Sequence, residues 1–350
     1  MVDVALKING VIYRGWTSYA VRRSVKMIGN FEVFLTEKWP GNKTGWPISP
    51  NDAFDLLIDD ELVMRGYVDD ADINYDEVSS SASIKGRSKL RDLIDCSGVH
   101  PQFSHQTFKQ LAEFVGGLFD IGVVIAPSVT DIDAPFIKAT IQVGETYMEF
   151  LKRLADERGV ILTDTPEGNL LVTRVGTVRA PTSLILGKNI LSGSATNSGR
   201  DRFYKYIVVG QAEATLGRVS DEVAAVNAVV LDNNVTRKQR TKVIDPDDSV
   251  SLEDVKRYGE RERNTRFGES QTATYVVSGF SHRDGLWEPN TLVQVDDPRA
   301  RIKAELLIVD VAYTRDNRST TSITVMPHEA LDVMPLPKKD VGAWAGVPTS

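Results

Sequence analysis

The chain has 350 residues, 41% of them apolar and 25% charged, with 48 acidic against 41 basic side chains and a formal charge of -7. This is the composition of a folded protein of roughly two to four domains, and its acidic balance argues against a chain whose main task is to grip a phosphate backbone. The single cysteine, Cys96, excludes an intrachain disulfide. No apolar run approaches the length of about 18 residues that a membrane helix needs, and the opening MVDVALKING lacks a secretion-signal pattern, so the expectation is cytoplasmic synthesis and no membrane span.

The first segment alternates like a half-buried strand: Val4, Leu6 and Ile8 against Ala5, Lys7 and Asn9. Asn9-Gly10 is the pair that a two-residue hairpin turn favours, and Val11 and Tyr13 begin the return. Phe31, Val33 and Leu35 alternate again. A turn-rich loop with Trp39-Pro40-Gly41 and Trp46-Pro47 follows, then a hairpin from Ala53 through Asp59-Asp60 to Val68, and residues 81–86 close the module. Short strands separated by Gly, Pro and Asp turns predict a small β-barrel over 1–88.

The period then changes. Leu90, Leu93 and Ile94 fit a short helix. Thr107 with Gln110, and Thr146 with Glu149, are capping-box pairs. Phe108, Leu111, Phe114, Val115 and Leu118 line the first of these helices. Phe150, Leu151 and Leu154 line the second, with Gly159 as its stop. A hairpin turns at 166–169. Residues 89–180 therefore predict an α+β domain. Strands return at 203–209, 274–277, 291–295, 306–313 and 320–325, read as a second barrel over 181–211 and 271–332. Residues 212–270 form a helical or mixed insertion, whose helix Ser251 caps. Pro335, Pro337, Pro348, Gly342 and Gly346 mark 333–350 as a flexible tail, read as a frayed terminus or, alternatively, as a docking peptide with Trp344 as its aromatic anchor. The fold class is thus mixed β and α+β: two similar barrels, an α+β domain between them, and an insertion in the second barrel. A weak repeat supports the pair. Glu61-Leu62-Val63-Met64 to Ile84-Lys85-Gly86 resembles Glu305-Leu306-Leu307-Ile308 to Ile323-Thr324-Val325, each running through an acidic bend.

Catalytic, cofactor and metal sites are expected to be absent. Cys96, His100 and His105 are too few and too irregular for structural zinc, and nothing beside Cys96 and His100 suggests an oxyanion site. Asp69, Asp70, Asp72 and Asp76 lack the glycine and final glutamate of a calcium loop, and Asp245, Asp247 and Asp248 read as a turn before a helix. Five basic and five acidic side chains cancel between Glu253 and Glu269, which fits a solvated helix or a charged subunit interface, not a nucleic-acid arm.

Several local signatures, in order, resemble a known family: Leu6-Lys7-Ile8-Asn9-Gly10, Gly66-Tyr67-Val68-Asp69, Ile84-Lys85-Gly86-Arg87-Ser88 leading to Leu90-Arg91-Asp92-Leu93-Ile94-Asp95-Cys96-Ser97, Val143-Gly144-Glu145-Thr146, Leu154-Ala155-Asp156-Glu157-Arg158-Gly159 and Asp201-Arg202-Phe203-Tyr204-Lys205-Tyr206. Over roughly 3–335 the chain resembles the baseplate hub (tail) proteins of Mu-like contractile-tailed phages. More distantly it resembles the hub of T4-like phages, the late control protein D group of P2-like phages and the N-terminal region of type VI secretion spikes. The resemblance implies a non-enzymatic structural hub of the virion tail baseplate, assembled in the bacterial host cytoplasm. It implies a homotrimer whose six barrels form a pseudo-sixfold ring. Such a ring joins the tail tube to the central spike, touches other baseplate proteins and lets DNA pass without specific binding. A lumen wall that is neutral or acidic, with the Asp69–Asp76 bend and Asp316 as contributors, is the matching expectation. The alternatives are a type VI or tailocin-like spike component and a tail-associated cell-wall hydrolase.

Overall fold

The computed structural model describes residues 3–38, 47–75, 79–98, 102–130, 132–210, 226–244 and 252–331. The loop at 39–46, His100, Asp76, the Asp245–Asp248 turn, the Ser251 cap and the tail with Trp344 lie outside them.

Hairpins start where the sequence places left-handed backbone. Asn9 and Gly10 sit at φ 52° and 80° between paired Ile8 and Val11, and Asp59 and Asp60 at φ 50° and 65° between paired Ile58 and Glu61. Positive φ at both central residues matches the twist of the flanking strands. Thirteen strands then join in a single open sheet. Its first block is Val4–Ile8, Ser18–Ser24, Asn30–Lys38, Ala53–Ile58, Glu61–Tyr75 and Ser79–Ser88, with Val11–Tyr13 added at one end. The second block is Leu184–Ile185, Ile190–Asn197, Gln271–Ser278, Leu292–Asp297, Ile302–Arg315 and Ser319–Met326.

Numbered one to six along the chain within each block, the strands lie side by side as 1-4-5-6-3-2 in both. One difference is that the first pair is antiparallel in the first block and parallel in the second. Both blocks also share a β-bulge in the long fifth strand, between Val68 and Asp70 and between Ile308 and Asp310. Aligning the bulges sets Asp70 beside Asp310 and Arg65 beside Glu305. The sequence pairing of Glu61 with Glu305 is therefore displaced by four residues, and the acidic bend it invoked is, over 69–75, continuous extended strand.

Alternation buries one side of each strand. Leu6, Phe54, Val33, Val21 and Ile84 of the first block and Tyr275, Ile323, Val295, Val311 and Tyr313 of the second join one apolar cluster. Full burial of each aliphatic side chain contributes about 1.5–3 kcal/mol. Gly66 allows the fifth and sixth strands of the first block to approach closely, since a Cβ there would lie 1.9 Å from the Arg87 carbonyl oxygen.

Four helices, α1 (Arg91–Asp95), α2 (Phe108–Gly117), α3 (Tyr147–Arg158) and α4 (Leu252–Glu269), and a 3-10 turn at His328–Ala330 complete the described secondary structure together with small sheets. Both capping boxes form. The Gln110 N–H donates to the Thr107 hydroxyl at 3.2 Å and the Glu149 N–H to the Thr146 hydroxyl at 3.2 Å, with each side chain returning to the cap N–H. Gly159 ends α3 at φ 62°. Phe108, Leu111, Val115, Phe150, Leu151 and Leu154 fill a second core. Phe114 and Leu118 do not join them: Ala112 and Gly116 take the inner positions of α2, and Phe114 stays 45% exposed, edge-on to Phe103.

The strand expected in the second barrel over 203–209 is placed elsewhere. Lys205–Gly210 is the centre of a separate three-stranded sheet with Val226–Leu231 and Thr241–Ile244. α4 packs its Val255 against Val208 and Ala228 there. Tyr206 and Val208, which alternate correctly for a buried strand, face this helix instead of the large sheet.

Candidate assembly surfaces

The two blocks meet in an antiparallel seam. The second half of Ile302–Arg315 pairs with Ser18–Ser24 from Asp310 opposite Ser24 to Arg315 opposite Tyr19. The first half of the same strand pairs with Leu292–Asp297, so one long strand serves two neighbours in succession. The Ser24 hydroxyl and the Val25 N–H both donate to the Val309 carbonyl, at 3.1 and 3.0 Å. Tyr313 is fully buried at this seam; its hydroxyl donates to the Trp287 carbonyl and its ring lies 5.4 Å from Phe280. Burial pushes the Tyr313 phenol well above its ordinary range. Arg22 faces Asp310 at 3.6 Å, and Arg23 reaches Glu288 at 3.2 Å.

The corresponding strand of the first block, Glu61–Tyr75, runs equally far but lacks the second neighbour among the described strands. Residues 61–67 pair with Ala53–Ile58. Beyond the bulge, 70–75 pair with Ser79–Ser88 on one edge, and among the described strands none pairs with the other edge of 70–74. At the opposite end of the sheet, Ile190–Asn197 pairs with Gln271–Ser278, and no described strand covers its outer edge. Seven of its eight residues are exposed. Sequence reasoning missed this strand and Ser18–Ser24. Ile190–Asn197 carries apolar branched residues only at its start and therefore lacks the alternation that marks a half-buried strand.

Behind the bulge lies a charged brace. Asp69 accepts from Arg87 Nε at 2.7 Å and Nη2 at 3.0 Å, and from Arg91 Nη1 at 2.6 Å. Arg87 also donates to Asp95, at 3.0 and 2.7 Å, and Arg91 to the Val68 carbonyl and Asn51. Hydrogen bonds to Asp69 and then Asp95 raise Arg87 above its ordinary value, and the Arg87 hydrogen bonds hold the Asp95 carboxyl down. Asp69 thus ties the strand to α1 and is not a free acidic group. Asp70 and Asp72 remain on the strand beyond it.

The groups tested for chemistry are dispersed. Cys96 caps α1, where its N–H donates to the Asp92 carbonyl. His105 sits exposed on Gln102–Gln106 at φ 55°. No cluster of three metal-ligating side chains occurs among the described residues. A cavity of about 550 Å³ between the first block, the second core and the 288–291 loop is lined by two carboxylates, Asp164 and Glu288. Glu288 pairs with Arg23, while Asp164 accepts from the Gly29 N–H at 3.3 Å in a half-buried position whose desolvation raises its pKa. Glu288 is committed to the seam and Asp164 to Gly29 of the first block. In α4, Arg261 donates to the carbonyl and carboxylate of Asp156 at 2.8 and 2.6 Å, and Arg266 to Glu262 at 2.7 Å. Part of the mixed-sign helix is therefore occupied within the chain.

Comparison with known proteins decides the family. Models described as Mu phage baseplate assembly protein GpP-like, N-terminal; baseplate hub protein gp44-like, second domain; and Mu phage baseplate assembly protein GpP, fourth domain match residues 3–88, 91–174 and 252–334. Baseplate hub protein gp44 of Escherichia phage Mu is 30% identical over 337 residues, covering 93% of this chain and 88% of that protein. The chain belongs to the Mu-type baseplate hub family. A solved relative, the 43 kDa tail protein of prophage MuSo2 from Shewanella oneidensis, is 34% identical with a TM-score of 0.85, covering 95% of this chain and all of that one. The tail protein of Neisseria meningitidis MC58, at 20% identity and a TM-score of 0.82 over 96% and 99% of the two chains, shares the fold. The sequence resemblance is thus to the right family, and its members are named as hub or tail proteins, not as enzymes.

Proposed function

We propose that this chain is a non-enzymatic structural hub of a Mu-like phage tail baseplate, and that three copies form a ring of six similar β-blocks. In this reading the ring joins the tail tube to the central spike and surrounds the DNA passage. Each block curls as a small barrel, with 1–88 as the first unit, 89–180 as the α+β unit and the separate sheet with α4 as an insertion in the second barrel. The observation that carries the proposal is the repeated strand order with its repeated bulge. One chain supplies two interchangeable blocks, and a head-to-tail arrangement of such chains closes when the rotation per block suits a ring. A ring of three two-block subunits has pseudo-sixfold symmetry on one face and threefold symmetry overall, which suits a joint between a sixfold tube and a threefold spike. Sedimentation equilibrium tests it. The expected mass is three times 38.7 kDa, and a single-chain mass throughout the micromolar range overturns the ring.

A further inference from the structure

The seam inside the chain specifies a second seam that the isolated chain leaves half-made. We infer that the outer edge of residues 70–74 in one copy receives Ile190–Asn197 of the next copy as an antiparallel strand, in the register of the internal seam. The inference rests on the ring reading and adds the contacting strands and their alignment.

Tracing pairs outward from the shared bulge gives the equivalences. Asp70 corresponds to Asp310, so the opposing Lys85 corresponds to Thr324. One pleat on, Ile84 and Ile323 correspond, and their partners Val33 and Tyr275 follow. Val33 pairs with Tyr19 and Tyr275 with Gly193, so Tyr19 corresponds to Gly193. The internal seam sets Tyr313 opposite Val21 and Thr314 opposite Ala20. Transferred between copies, it sets Ile73 opposite Ala195 and Asn74 opposite Ser194.

Three features favour this occupant over any other. Each described edge has its outer hydrogen-bonding groups unpaired by a strand, the state that templates strand addition. Ile73 is 46% exposed, yet its counterpart Tyr313, which lies opposite Val21 on the strand that the first block lacks, is fully buried. The parity also agrees along the whole path: Val33 with Tyr275 and Ile84 with Ile323 are buried pairs, so the transferred register turns Ile73 inward. Small side chains at Gly193 and Ala195 leave room beside it. Exposed Arg200 lies two residues beyond Ser198, the position placed opposite Asp70.

Disulfide trapping in the full chain tests the register, with Cys96→Ser as background. Antiparallel partners bring Cα atoms within the roughly 4.4–6.8 Å that a disulfide spans. Asn74→Cys with Ser194→Cys, and Ile73→Cys with Ala195→Cys, sample the two alternating pair types. Mild oxidation is expected to yield covalent trimers from at least one of these double variants. Mixing the two single variants of that pair should stop at covalent dimers. Asp70→Cys with Ser194→Cys, four residues out of register, should stay unlinked. Ile73→Lys is expected to weaken assembly at least tenfold while leaving the monomer's thermal unfolding unchanged, because the side chain is exposed in the single chain. A trimeric mass with no in-register linkage, or with equal out-of-register linkage, overturns the strand addition and leaves the ring standing. A single-chain mass overturns both.

Discussion

Replacing Asp69 by Asn tests whether the bulge is held by charge. The carboxylate accepts three hydrogen bonds from two guanidiniums, and the side chains of Asp69, Arg91 and Arg87 are 20%, 11% and 32% exposed. Hydrogen bonds to charged groups contribute about 1.5–3 kcal/mol each, but bonds in one network do not add independently. Arg87 keeps Asp95, and Arg91 keeps Asn51 and the Val68 carbonyl. The expected loss is therefore about 3 kcal/mol, at the lower end of the roughly 3–5 kcal/mol for breaking a buried pair. Asp55→Asn is the comparison. It removes a bidentate pair with Arg65, whose side chain is 48% exposed, and exposed pairs contribute at most about 1 kcal/mol. Urea unfolding followed by tryptophan fluorescence reads both, since Trp16 and Trp287 are buried in the large β core. With a denaturant slope of about 3 kcal/mol/M, the Asp69 variant should lose about 1 M in midpoint and the Asp55 variant no more than about a third of that. Equal shifts refute the argument that the network at the bulge, and not mere ion pairing, fixes the strand.

Thr146→Ala removes the hydroxyl that caps α3 and should destabilise the second core by about 1 kcal/mol, read as faster amide exchange across Tyr147–Arg158. Asp164 gives a pH test of definite sign. Burial raises its folded pKa above the ordinary carboxyl value, so the folded state holds the proton more tightly. Its effect is most favourable below the unfolded value and is lost as pH rises through the folded one. Asp164→Asn, which stays neutral, should therefore flatten the fall in stability above about pH 4, measured by thermal unfolding at stepped pH; a parallel profile for both proteins refutes it.

Local features were legible wherever a short-range rule acts alone. The Asn9-Gly10 turn, both capping boxes and the Gly159 stop need only a few neighbouring residues to satisfy backbone groups, and all form. Tertiary partners were less legible. Tyr206 and Val208 alternate as a buried strand must, but alternation does not say whether the buried face meets a sheet or a helix. Phe114 was expected inside because it is large and apolar; the closer approach available at Ala112 and Gly116 left it outside. Ile190–Asn197 escaped notice because seven of its eight residues are exposed, so burial of one face imposed no hydrophobic alternation on it.

The duplication shows the same division between backbone and side chains. The visible likeness between Glu61 and Glu305 is four residues away from the structural correspondence, because similar β-rich strings recur at many offsets. What the two blocks share is a pattern of pairing: strand order, a long fifth strand, and a bulge in it before an aspartate. These are properties of hydrogen-bonded backbone, which tolerates almost any side chain with the correct inward parity. Side chains then diverged by context. Asp69, at the first bulge, binds two arginines, whereas Val309, at the second, is buried. Tyr313 pairs with the chain's own Ser18–Ser24, whereas Ile73 has no described strand on its outer edge. In the proposed ring, two like blocks in one chain have one junction completed within the chain and one left for a neighbouring copy. The difference between Tyr313 and Ile73 is the mark of that division.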